Sequence, residues 1–147
     1  MGAVAGFLRR TPEERLAILR AIPVLLRIEA GLRRDPVPRL AARLGVRMGT
    51  EPDRPPVLGP VELDARERLG VDAARRLVRR WPASARCLRR SLLIGHALRH
   101  RGPVLRIGVA KHDGRVHAHA WIEIDGRVPE DLERDVDFTP LRRARRR

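Results

Sequence analysis

Residues 84–97, SARCLRRSLLIGHA, and residues 104–124, VLRIGVAKHDGRVHAHAWIEI, decide how this chain is read. In the first stretch Ser84 is a candidate N-cap. Cys87, Leu88, Ser91, Leu92, Leu93 and Ala97 follow at helical spacing, and Gly102-Pro103 stops the helix. The second stretch alternates instead. Leu105, Ile107 and Val109 share one face of a strand, Asp113-Gly114 signals a hairpin turn, and Val116 to Ile124 forms the returning strand. Asp125-Gly126 marks a further turn, with a short third strand near Arg127 to Asp131.

Working toward the N-terminus, the pattern is helical. Thr11-Pro12-Glu13-Glu14 combines a capping residue, a proline suited to the first helical position and the acidic partner of a capping box. The helix runs through Leu16, Leu19, Ile22, Leu25, Leu26 and Ile28, with a kink expected at Pro23 and an end or interruption at Gly31. Its apolar surface exceeds what one helix face buries; core packing is the favoured reading, since a small domain needs such surface itself, and docking of a partner protein is the alternative. A short helix fits Pro38 to Leu44, closed by Gly45. Residues 49–60, with four prolines and two glycines, read as a linker or exposed loop. A third helix fits Val71 to Trp81, with Ala73, Ala74, Leu77 and Val78 inward. The expected class is α+β: a helical first half, then a Cys-bearing helix packed on a small antiparallel meander. We divide a single domain, 1–147, into N-terminal helices (1–48), a loop (49–60), a core (61–141) and a solvated basic tail (142–147).

The formal net charge is +14, almost all of it from arginine, since Lys111 is the only lysine. Such a charge attracts acidic partners. A nucleic-acid role is disfavoured, because aromatics make up only 3% of the chain and no basic-aromatic interleaving offers bases a stacking platform. The apolar run from Leu16 to Leu32 is broken by Arg20, Pro23, Arg27 and Glu29, which argues against a membrane span. With no secretory signal apparent, the expected location is cytoplasmic. A single cysteine excludes an intramolecular disulfide and a multi-cysteine zinc site.

That cysteine is the first candidate for chemistry. In the first turn of a helix, the dipole and the open backbone N–H groups favour a thiolate and contribute to an oxyanion hole. A thiolate needs a proton-transfer partner and a group to orient it. The strand period of two puts His117, His119, Trp121 and Glu123 on one face, and Ala118, Ala120, Ile122 and Ile124 on the other, apolar one. Cysteine at a helix start followed by histidine on a strand is the order used by papain-like and transglutaminase-like enzymes. The chain contains no Asn and no Gln, so an amide orienter and a Gln oxyanion donor are both ruled out. The orienter is then acidic, and Asp131, Glu130, Asp125 and Asp135 are near. A three-residue loop, Ile124-Asp125-Gly126, sets Asp131 opposite His119. A two-residue loop sets it opposite Ala120, on the wrong face. Pro129 marks an edge or irregular position.

A metal site is the rival chemistry. His117 and His119 share a strand face, and His96 and His100 stand four apart on a helix, a spacing that can chelate zinc. Nothing in the sequence brings the two pairs together, so no metal or cofactor is assigned. Trp121 is read as packing around the site.

The motifs R-C-L-R-R-S-L-L-I-G-H-A-L-R-H-R-G (86–102), L-R-I-G-V (105–109) and A-H-A-W-I-E-I-D-G-R-V (118–128) resemble the lasso-peptide leader peptidase, a transglutaminase-like cysteine peptidase. The resemblance covers roughly residues 81–141. It implies a catalytic Cys at Cys87, His at His119 and Asp at Asp131, with His117 outside the triad. It also implies removal of the leader from a precursor peptide. The chain's short length resembles the stand-alone form, which acts with a separate leader-recognition protein and an ATP-dependent macrolactam cyclase. The contrasting readings are a non-catalytic interaction module of the same fold and a basic nucleic-acid-binding protein.

Overall fold

The computed structural model describes residues 9–49, 57–58, 61–112, 115–128 and 139–140. Helix α1 (Pro12–Arg34) begins with the capping box expected of it. The Glu14 N–H donates to Thr11 Oγ1 at 3.2 Å, and the Thr11 N–H donates back to the Glu14 carboxylate at 3.1 Å. The helix does not stop at Gly31 but passes through it. A β-carbon there would lie 2.4 Å from Leu40 Cδ1, so glycine is what lets α2 (Val37–Arg43) approach so closely. Gly45 closes α2 in the left-handed region, at φ +77°. On α1, Leu25 and Ile28 are buried, while Leu16, Leu19 and Leu26 remain about half exposed.

Helix α3 (Ala65–Arg79) starts six residues before the expected Val71. Asp64-Ala65-Arg66-Glu67 is a second complete capping box, with bonds of 2.7 and 2.9 Å; this D-x-x-E signal was present in the sequence and marks the true start. Helix α4 (Arg86–Ala97) carries Cys87. It ends at Ala97, and His100 belongs to a separate 3₁₀ turn (Arg99–Arg101), so His96 and His100 do not share an α-helical face.

Six strands lie among the described residues: β1 (Arg47–Met48), β2 (Val57–Leu58), β3 (Val104–His112), β4 (Arg115–Glu123), β5 (Arg127–Val128) and β6 (Thr139–Pro140). β3 and β4 form the expected hairpin in a register that pairs Val104 with Glu123 and Gly108 with His119. The rest departs from an antiparallel meander. β1 runs parallel to β3, β6 pairs with β3, and β5 pairs in parallel with β2. β2 thus arises inside the stretch expected to be a loop. The sheet is mixed, and the class is α+β.

The turn after β4 decides a point left open above. Ile124 and Arg127 exchange both backbone hydrogen bonds, at 2.8 and 2.9 Å, across a two-residue loop. Asp125 (φ 52°) and Gly126 (φ 74°) are both left-handed, as a type I′ turn requires. The three-residue loop is therefore absent, because Asp125 accepts a positive φ and lets the tighter turn match the strand twist. Asp131 itself, with Glu130, Asp135 and the basic tail, lies outside the described residues.

The core sits between the helices and the sheet. Leu25 and Ile28 of α1, Val71, Ala74 and Val78 of α3, Leu92 and Ile94 of α4 and Ala120, Ile122 and Ile124 beside them form one buried cluster. α4 is the central element and packs on α1, α3 and β4. Gly95 permits this: a β-carbon there would sit 2.7 Å from Val46 Cγ2 and 3.0 Å from Ile122 Cδ1. No helix among the described residues is long and apolar enough to cross a membrane.

Candidate active site

Cys87 is the second residue of α4, partly buried and unbridged. Its helix start differs from what the sequence suggested. Ser84 is not the cap. The N-cap is Ala85, in the left-handed region at φ 51° and ψ 49°, and no side chain caps the helix. α1 and α3 both open with full capping boxes. At α4 the first N–H groups carry no side-chain cap, and Cys87 lies among them.

A buried ion pair explains the turn. Glu29 of α1 is 8% exposed although charged. Its carboxylate accepts from Arg89 Nε, from Arg89 Nη2 at 3.1 Å and from Trp81 Nε1 at 2.9 Å. The other arm of the same guanidinium, Nη1, donates to the Ser84 carbonyl and lies 3.4 Å from that of Ala85. The hydrogen bond from Arg89 holds the Glu29 carboxyl below the usual range, against burial acting the other way. The bond to Glu29 in turn raises Arg89 above its ordinary value. The backbone of 84–85 thus turns its carbonyls toward Arg89, and Ser84 is drawn out of the capping position.

The histidine side is set by β4. The His119 ring stacks on Trp121 with centroids 6.3 Å apart and planes 18° from parallel, and its Nε2 is shielded from solvent. Trp121 is 1% exposed and donates from Nε1 to Glu123 Oε1 at 3.0 Å. Glu123 is held from its other oxygen by Arg106 Nε, also at 3.0 Å. Trp121 is therefore part of the buried framework behind His119, as read from the sequence.

Helix and strand meet through Ser91. This fully buried serine, one turn beyond Cys87 on the same helix face, donates to the carbonyl of Ala120 at 2.9 Å. The Ile124–Arg127 bonds fix which backbone groups of β4 face away from β3, and alternation assigns the Ala120 carbonyl to that same outer edge. Ser91 lies at the level of Ala120 and Gly95 at that of Ile122, so α4 and β4 run in the same direction. Four helical residues advance about 6 Å and two strand residues about 6.6 Å, so the two elements keep step. Cys87 lies one helical turn before Ser91, and Ala118, the exposed neighbour of His119, lies two strand residues before Ala120. The His119 side chain stands on the face of β4 opposite Ala118 and Ala120.

The rival histidines are engaged elsewhere. His96 Nδ1 lies 3.0 Å from the Leu44 carbonyl, and His100 Nε2 lies 2.8 Å from Glu67. Burial lowers the His96 pKa; the Leu44 bond opposes this and the Arg99 and Arg27 charges add to it. Among the described residues no group of three His, Cys, Asp or Glu is placed to hold a metal ion. Glu29 and Ser91 were not recognised as site residues from sequence, nor was the grip of Arg89 on Glu29. The available signal was a glutamate set among the inward-facing apolar residues of α1.

No curated protein and no solved structure matches this chain. A family model does match, over residues 24–143, so the match includes the C-terminal half of α1 as well as the Cys helix and the hairpin. With Cys87 on a helix that Ser91 ties to the strand of His119, and that match over most of its length, the chain belongs to the transglutaminase-like superfamily.

Proposed function

We propose that this chain is a cysteine peptidase that removes the leader from a lasso-peptide precursor. The superfamily includes cysteine peptidases; the substrate follows from the resemblance of residues 86–102, 105–109 and 118–128 described above. The observation that carries the catalytic reading is the start of α4, where Cys87 sits at an uncapped helix N-terminus that Ser91 ties to the strand of His119. In this reading His119 takes the thiol proton and Cys87 Sγ attacks the carbonyl at the leader–core junction. The open N–H groups of α4 receive the oxyanion. His119 returns the proton to the departing core amine, and water then hydrolyses the thioester left on Cys87. Asp131 is assigned as the group that orients His119. Because the turn at Asp125-Gly126 has two residues, this role requires a bulge or break after Val128. Pro129, which has no N–H, favours such a break.

The leader is presented by a separate recognition protein, and an ATP-dependent cyclase closes the ring afterwards. The half-exposed Leu16, Leu19 and Leu26 of α1 are the apolar surface we assign to the recognition partner. The test is cleavage of a precursor peptide followed by mass spectrometry, with the recognition protein present. Cys87→Ala is expected to abolish cleavage while folding and partner binding persist, and Asp131→Ala to lower kcat by roughly 10²-fold or more. Cleavage retained by Cys87→Ala sinks the peptidase reading.

A further inference from the structure

We propose that Arg89, gripped by Glu29, is a positioning residue of the active site: it holds the turn at Ser84 and Ala85 by its carbonyls and so keeps the first N–H groups of α4 open beside Cys87. This rests on the reading of Cys87 as the nucleophile. A helix start is ordinarily stabilised from its N–H side, as Thr11 and Asp64 do for α1 and α3. A side-chain cap at α4 would occupy the N–H groups that an oxyanion needs. Here the turn is anchored from the opposite side. Arg89 Nη1 takes the Ser84 and Ala85 carbonyls, while Nε and Nη2 grip the two oxygens of Glu29.

Three further features fit. Ala85 is left-handed, a conformation that is strained for an alanine and persists only where neighbours impose it. Trp81, at the other end of the same loop, is bonded to the same Glu29 oxygen as Arg89 Nε, so both ends of 81–85 hang on one buried carboxylate. Ser84, a competent cap, is present and unused. A planar fork can reach a carboxylate and two carbonyls at once; a lysine ammonium has a single nitrogen to divide among them.

The test compares Arg89→Lys with Arg101→Lys. Arg101 is a matched control, since it also joins a buried glutamate (Glu67, 3.1 Å) to a backbone carbonyl (Glu62, 2.8 Å), but beyond the far end of α4. Arg89→Lys keeps the charge opposite Glu29 and is expected to fold. Its kcat for precursor cleavage falls about 10- to 100-fold with KM within about twofold, as expected when a reacting group is displaced by about an ångström. Alkylation of native Cys87 by iodoacetamide slows several-fold. Arg101→Lys changes neither. Wild-type kcat and alkylation in Arg89→Lys, or equal losses in Arg101→Lys, would overturn the proposal. Should Arg89→Lys fail to fold, Glu29→Gln, which keeps the shape and the Trp81 contact, is measured in its place with the same criteria. A wild-type chain that cleaves no precursor refutes the peptidase reading alone, because the alkylation comparison still decides the role of Arg89.

Discussion

Removing the carboxylate at Glu29 tests how much of the stability rests on the pair that anchors the Cys87 loop. Glu29→Ala deletes the acceptor of three hydrogen bonds and leaves Arg89, whose side chain is 12% exposed, facing a gap. Breaking a fully buried pair from one side costs about 3–5 kcal/mol. The residual exposure, 12% and 11% for the two side chains, lets water reach the orphaned guanidinium and argues for the lower end, about 3 kcal/mol. With a slope of about 1.5 kcal/mol per molar urea for a chain of this size, the midpoint falls by roughly 2 M. Urea titration followed by circular dichroism and by tryptophan emission reads this directly, since Trp81 is bonded to Glu29.

A pH arm checks the electrostatic part. The folded pKa of Glu29 lies below its unfolded value of 4.5, so its contribution is complete above pH 4.5 and is lost as the pH falls through the folded value. The variant should lack that segment of the acid decline. Replacing both partners, Glu29→Met with Arg89→Met, removes the stranded charge and should recover most of the stability, but not the loop geometry. A loss below about 1 kcal/mol in Glu29→Ala, with the acid profile unchanged, would refute the reasoning.

Two other predictions follow from packing and burial. Gly95→Ala gains about 1 kcal/mol of helix propensity but drives a methyl into the buried Val46 and Ile122, so a net loss of roughly 1–2 kcal/mol is expected; an increase in Tm would contradict the close approach of α4. His96, whose folded pKa lies below 6.5, contributes stability that is full above 6.5 and declines as the pH falls through the folded value. His96→Asn keeps a donor for the Leu44 carbonyl and removes the titration, so its Tm should drop less than the wild type between about pH 7.5 and about pH 5.5. Equal drops in the two proteins would count against it.

Much of this protein is legible in its sequence because the deciding signals are local. The Thr11 and Asp64 capping boxes, the Gly45 helix stop and the alternation of Val116 to Ile124 each depend on residues a few positions apart, and periodicity alone separates the histidine face of β4 from its apolar face. The proposed class of chemistry rests on composition as well: one cysteine, and no amide side chain to orient a histidine. What the tertiary structure decided lies where distant segments compete for the same groups. Ser84 is a good cap by its own chemistry, yet Glu29, 60 residues before Arg89, positions the guanidinium that turns its carbonyl away and leaves Ala85 at the helix start. The turn at Asp125-Gly126 accepts two or three residues on local grounds, and the paired bonds of Ile124 and Arg127 select two. Gly95 and Gly31 read as flaws in helices until Val46, Ile122 and Leu40 are seen against them. Local propensity sets which element forms, but the identity of a helix cap or a turn register is worth only a kilocalorie or so, and a buried ion pair or a close helix crossing outweighs it.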